Sequence, residues 1–124
     1  MTGYIVFAHG SSVESANEAV RAVTVEMARR GGYEAVEAAF LGGGKPDLAE
    51  AVNRLAERGV TRVVVVPYFL TLGLHLQRDL PRLVQELSQA HPGIRIEVTE
   101  PLDGHAAMVE ALLDRARASV CKPS

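Results

Sequence analysis

The chain has 124 residues, a single cysteine and a formal net charge of −2 at pH 7. This length suits one domain with its own hydrophobic core. The charge excludes the general attraction that draws basic proteins to nucleic acid or acidic membranes, and no run approaches the ~18 apolar residues of a membrane span. A lone cysteine, Cys121, excludes an intrachain disulfide or a cysteine metal cluster. The first residues lack the basic, apolar and small-residue pattern of a secretory signal, so a cytoplasmic location is expected.

Strand and helix patterns alternate along the chain. Tyr4-Ile5-Val6-Phe7-Ala8 gives a first strand at about residues 3–8. Ala16, Val20, Val23 and Met27 follow at helical spacing, and Gly31-Gly32 stops that helix. Residues 34–41 read as a second strand, poorer in β-branched residues and so placed at the periphery. After Gly42-Gly43-Gly44, Pro46-Asp47 opens a helix with Leu48, Ala51, Val52 and Leu55 on one face; Asp47 and Glu50 have capping-box spacing, and Gly59 ends it.

Residues 62–68 contain Val63-Val64-Val65-Val66, a strand expected at the centre of a sheet and buried on both faces. The next helix carries Leu80, Leu83, Val84 and Leu87, with Pro81 placed in its first turn, where proline is tolerated, and Asp79 as its simplest cap. Pro92-Gly93 turns the chain into a fourth strand, Ile94 to Val98. A last helix presents Val109, Leu112, Leu113, Ala116 and Val120.

Four such units predict an α/β fold: one doubly wound domain over residues 1–120, a tail at 121–124, and helices on both faces of a four-stranded parallel sheet. Strand order 2-1-3-4 sets the first and third strands side by side, with the switch point between them. Ligands of open α/β sheets collect outside the carboxyl ends of the strands at such a point.

Two histidines reach that rim. His9 follows the first strand directly, and His75 follows the third after Thr71-Leu72-Gly73-Leu74. Imidazole changes charge near neutral pH, accepts protons and ligates metals. On this order the two face each other across the crevice. Gly10 allows a tight turn beside His9, while Ser11, Ser12 and the amides of a helix start suit an anion; the plainer reading is a strand-to-helix turn with serine caps. Two histidines fall short of the three or four ligands of a durable zinc site. They suit a loosely held divalent ion whose remaining ligands come from a substrate. No Walker A loop, G-x-G-x-x-G fingerprint or G-x-S-x-G elbow is present. His105 opens the last helix as a capping or surface residue, and His91 occupies an exposed turn at the opposite edge of the sheet.

Several segments carry a family resemblance: Ala8-His9-Gly10-Ser11 with Ala16-Asn17, then Val64-Val65-Val66-Pro67-Tyr68-Phe69-Leu70, then Gly73-Leu74-His75-Leu76-Gln77-Arg78-Asp79-Leu80-Pro81, and finally Pro101-Leu102-Asp103-Gly104-His105. In their order and spacing the chain resembles the class II chelatases, the sirohydrochlorin cobaltochelatase and ferrochelatase family of small CbiX type. The resemblance implies a lyase that inserts a divalent metal into sirohydrochlorin or a related tetrapyrrole of cobalamin or siroheme synthesis, without ATP. Cobalt comes first among the metals, with nickel and iron as alternatives; the ion is a substrate, and no organic cofactor is implied. His9 and His75 match the family's two active-site histidines, as catalytic residues and metal ligands. Short members look like half of a two-domain chelatase, which implies a homodimer. Ser11, Ser12 and Arg78, with Gly10, are the candidates for holding the macrocycle's carboxylates, and Lys45 is a weaker one.

Two positions depart from the family pattern. Phe40-Leu41-Gly42 stands where members commonly read Phe-Leu-Glu, and Ser12 stands where an arginine is frequent. Glu14 and Asp47 are the carboxylates in sequence range of the missing acid. An alternative function is therefore a tetrapyrrole- or metal-binding protein that kept the pocket without turnover. A phosphate-binding regulatory domain ranks last, because residues 1–12 lack an acidic strand-end cluster.

Overall fold

The computed structural model describes residues 1–119. The residues assigned above to a tail, with Val120 and Cys121, lie outside them. Four strands and four helices alternate: β1 Thr2–Ala8, α1 Glu14–Gly31, β2 Ala35–Phe40, α2 Leu48–Glu57, β3 Arg62–Tyr68, α3 Leu74–Ala90, β4 Arg95–Val98 and α4 Ala106–Arg117. All pairings are parallel and the strand order is β2-β1-β3-β4. The expected doubly wound sheet is therefore observed, with β2 at an edge and β3 internal.

The register aligns the ends that matter. Ala8, the last residue of β1, sits opposite Phe40 of β2 and Tyr68 of β3. The loops that leave these three strands therefore start at one level of the sheet.

The chain steps from β1 to β2 in one direction and then back across β1 to β3 and β4. With right-handed crossovers this puts α1 on one face and α2 and α3 on the other. The main core lies on the second face. Ile5, Phe7, Ala35, Ala39, Val63 and Val65 pack there against Leu48, Ala51, Val52 and Leu55 of α2 and Leu80 and Leu87 of α3. Full burial of a side chain such as Val52 or Leu55 contributes about 1.5–3 kcal/mol relative to exposure. The start of α2 is fixed by a complete capping box: Asp47 Oδ1 accepts from the Glu50 amide at 2.8 Å, and Glu50 Oε1 accepts from the Asp47 amide at 3.2 Å.

Three local expectations need correction. The first is the buried face of α1. It is carried by Asn17 and Thr24, while Ala16 and Val23 are exposed. The apolar spacing misled because two polar residues satisfy themselves inside, Thr24 by donating to the Val20 carbonyl at 2.7 Å. Second, the N-cap of α1 is Val13 rather than a serine; Ser11 Oγ instead accepts from the Val13 amide at 3.0 Å.

The third concerns α3, which begins at Leu74 with Gly73 as its N-cap. Asp79 therefore does not cap it, and Pro81 is inside the helix rather than in its first turn. Leu76 stands four residues before Leu80 and extends the apolar stripe backwards. Pro81 is on the exposed side, where loss of one intrahelical hydrogen bond is least costly.

Candidate functional site

His9 is the first residue past β1 and is exposed. Its backbone carbonyl accepts from the Gly42 amide at 3.0 Å, continuing the ladder in which Leu41 donates to Ala8 at 2.9 Å. Its imidazole stands edge-on to Phe69, with ring centroids 5.8 Å apart. Phe69 in turn meets the buried ring of Phe7 at 5.9 Å. An aromatic chain thus runs from the core to the imidazole.

His75 is the second residue of α3, also exposed, carried there by the loop that leaves β3. Arg78 follows it by three residues on the same helix, so the two share one side of α3. Since β1 and β3 are neighbours, the sheet brings the elements that bear both histidines to one rim. The segments that follow β1, β2 and β3 also carry exposed aliphatic residues: Val13, Leu41, Leu70 and Leu74 are 59%, 45%, 69% and 71% exposed. Large aliphatic groups left in water at the end of the sheet that carries both histidines are suited to meeting an apolar ligand face.

The loops after β1 and β2 interlock. Gly10 has φ +86°, and a Cβ there would lie 1.6 Å from the Gly42 carbonyl oxygen. Gly43 has φ +71°, and a Cβ there would lie 2.8 Å from the Ser11 backbone. Only glycine permits this approach. Gly42 differs: a Cβ would meet nothing within 4 Å, and its φ lies outside the left-handed range.

Asn17, 1% exposed, joins the same two loops. Its Oδ1 accepts from the Ser11 amide at 3.0 Å, and its Nδ2 donates to the carbonyls of Ser11 at 2.9 Å and Gly43 at 3.1 Å. Both backbone groups of Ser11 are thereby occupied, while its hydroxyl oxygen accepts from the Val13 amide. Ser12 is exposed.

Neither carboxylate in sequence range of Gly42 is free to stand in for an acid there. Glu14 binds Arg21 at 2.6 Å, and hydrogen bonds from Arg21 and Asn17 hold its carboxyl below the usual range. Asp47 caps α2. A groove of about 580 Å³ on this side is lined by Glu14, Arg21, Gly42–Gly44, Lys45 and Asp47. No motif or spacing in the sequence singles out Arg21, which the fold brings to this groove. Lys45 is paired with Glu50 at 3.0 Å, a contact that raises its pKa.

A second groove, of about 400 Å³, is apolar and runs between α3 and β4 along Leu72, Leu76, Leu80, Pro81, Val84 and Val98. Neither histidine lines these two grooves. Among the described residues no three His, Cys, Asp or Glu side chains cluster as a complete metal site. His105 acts as N-cap of α4, its Nδ1 accepting from the Ala107 amide at 3.0 Å. His91 closes α3.

Fold and rim together define a doubly wound α/β domain with an open, histidine-bearing edge. The CbiX family model matches residues 3–119, and the chain belongs to the CbiX family. It is 31% identical to the sirohydrochlorin cobaltochelatase of Sulfolobus acidocaldarius, an alignment that covers 94% of this chain and 90% of that one. It is 30% identical to the chloroplastic sirohydrochlorin ferrochelatase of Arabidopsis thaliana, covering 91% of this chain and half of the plant protein, 50%. Among solved structures, a CbiX protein from Marinobacter aquaeolei VT8 superposes with TM-score 0.84 at 29% identity, covering 94% of this chain and 95% of that one. The sirohydrochlorin chelatase SirB from Bacillus subtilis subspecies spizizenii, in complex with cobalt, shares the fold at TM-score 0.86 and 23% identity; the match covers 94% of this chain and 50% of that one. Among the described residues no helix is long and apolar enough to cross a membrane.

Proposed function

We propose that this chain inserts a divalent metal into sirohydrochlorin or a closely related tetrapyrrole, cobalt foremost and iron or nickel as alternatives, without ATP. One observation carries the reading: His9 follows β1 directly and His75 opens the helix after the adjacent parallel β3, both exposed, in segments that also carry exposed aliphatic residues. The names of the relatives support the same substrate.

The reaction exchanges one divalent ion for two pyrrole protons. The imidazoles of His9 and His75 would hold the ion loosely, hand it to the four ring nitrogens and take up the displaced protons. A site with few ligands favours delivery, since the macrocycle completes the coordination and then outcompetes the protein. The aliphatic groups Val13, Leu41, Leu70 and Leu74 would lie against the ring face. Arg78, beside His75 on α3, and the hydroxyls of Ser11 and Ser12 would take the peripheral carboxylates, with Gly10 keeping that loop close.

A cytoplasmic homodimer completes the proposal. The apolar residues Val109, Leu112 and Leu113 of α4 are 57%, 69% and 38% exposed, and no residue of α4 is buried. The same fold fills half of the longer SirB chain. A second copy of this chain is the natural cover for α4.

One observation favours a second reading. With glycine at position 42, and with Glu14 paired to Arg21 and Asp47 capping α2, neither carboxylate in sequence range of that position is placed to relay protons. The chain would then bind metal or tetrapyrrole without turnover. Anaerobic incubation with sirohydrochlorin and Co2+, followed by visible absorption, separates the two. Insertion faster than the spontaneous reaction, and lost in His9→Ala and His75→Ala, supports catalysis; tight binding with no acceleration supports the carrier.

A further inference from the structure

We propose that Asn17 is a positioning residue that sets His9 by clamping the glycine-rich loop after β2 onto the loop that carries the imidazole. The proposal rests on the reading of His9 as a metal-handling residue.

The connectivity is closed. Asn17 holds Ser11 by both of its backbone groups and holds the Gly43 carbonyl with the same amide nitrogen. Gly42, next to Gly43, donates to the carbonyl of His9 itself. Gly44 lies against Asn17, where a Cβ would come 3.0 Å from Nδ2. The His9-Gly10-Ser11 turn therefore has two attachments to the opposite loop, one through Gly42 and one through Asn17. Van der Waals contact at Gly10 and Gly43 leaves no slack between them.

A buried amide costs desolvation free energy unless its donors and acceptor are all matched, and here they are. A plain core position would be served by an apolar residue, as elsewhere in the main cluster. An amide that reads three backbone groups from two loops fixes the spacing of those loops, and so the point from which the His9 side chain projects. Groups that orient a metal-binding side chain through the surrounding bonding typically alter metal affinity or activity about 10- to 100-fold when replaced; Asn17 would act at one remove further, through the backbone of the loop.

The test compares Asn17→Asp and Asn17→Ala with Thr24→Ala. Asn17→Asp keeps the shape and the acceptor for Ser11 but removes the donors to Ser11 and Gly43. Thr24 is buried on the same helix and bonds only within it, so it reports the cost of a lost polar contact away from the rim. Three quantities are read on folded protein at matched fractional stability: the His9 ring resonances by NMR, the affinity for Co2+ alone, and kcat and KM for metal insertion. The Asn17 variants are expected to shift the His9 resonances, weaken Co2+ binding about tenfold or more, and lower kcat more than they raise KM. Thr24→Ala is expected to leave all three unchanged. If Asn17→Ala does not accumulate as folded protein, Asn17→Asp carries the measurement. Unchanged His9 resonances in a folded Asn17 variant, or losses equal to those of Thr24→Ala, would overturn the proposal. Absence of insertion by the wild-type chain would sink the catalytic reading alone, because the resonances still decide the role of Asn17.

Discussion

The ring of Phe69 stands edge-on to the imidazole of His9 at 5.8 Å and 61°, and a further edge contact ties it to Phe7 in the core. Phe69 is half-buried, so it couples the exposed histidine to the packed interior without covering it. Edge-to-face pairs of this kind contribute about 0.5–1.5 kcal/mol beyond area burial. Replacing Phe69 by alanine is expected to cost about 2 kcal/mol of stability, less than a fully buried phenylalanine would. It should also cut insertion activity about tenfold by freeing the imidazole. Urea denaturation and initial rates check the two effects; Phe69→Leu should recover most of the stability but only part of the rate.

Gly10 and Gly42 face each other across the two loops and are expected to respond oppositely to substitution. Gly10→Ala forces a side chain into a left-handed backbone and against a carbonyl oxygen. The strain alone costs about 1–3 kcal/mol, and thermal melts should show a clear loss. Gly42→Glu meets open space with an ordinary backbone. It should fold with a melting temperature close to wild type, and bind Co2+ more tightly by adding an oxygen ligand to the two imidazoles. Isothermal titration with Co2+ checks the second outcome.

Acid should weaken the fold in a defined window. Arg62 holds Glu97 below the usual carboxylate range, backbone bonding to Asp47 together with Lys45 does so for Glu50, and Arg21 with Asn17 does so for Glu14. Groups with a depressed folded pKa contribute stability above their ordinary value of 4.5, and that stability is lost as pH falls through the lower folded values. The melting temperature should therefore hold steady from neutral pH to about 4.5 and fall below it. Glu50→Gln, which keeps part of the capping box, should flatten that fall; a pH series of thermal melts checks it.

The apolar side chains of α4 give a solution test of assembly. Sedimentation of the wild-type chain is expected to show a dimer, and Leu112→Asp with Val109→Asp to show a monomer of unchanged circular dichroism. Putting charge into an interface that excludes water opposes association strongly. On an exposed monomer surface the same changes would do nothing measurable.

Much of this was legible in the sequence for physical reasons. The valine run of β3 favours a central strand and Asp47 with Glu50 favours a helix start, and the observed strand order and α2 boundary agree with both. The start of α3 was not readable in the same way, because a proline within a helix is tolerated when it faces solvent, and Pro81 gave no sign of which side it faced. The α1 face was misread because Asn17 and Thr24 are buried by bonding to backbone groups that only the folded loops supply. Of the site, both histidines and the Gly10 turn could be read from strand ends. The clamp by Asn17, the occupation of Glu14 by Arg21 and the open space at Gly42 are tertiary relations, invisible to spacing.

Metal handling by two imidazoles on one rim is tested most directly by titrating Co2+ into the wild-type chain while following the ring resonances of all four histidines. The expected result is paramagnetic broadening of His9 and His75 along one saturation curve, with His91 and His105 unaffected, and loss of the curve at either site in His9→Ala or His75→Ala. Independent curves for His9 and His75, or a response from only one of them, would contradict it.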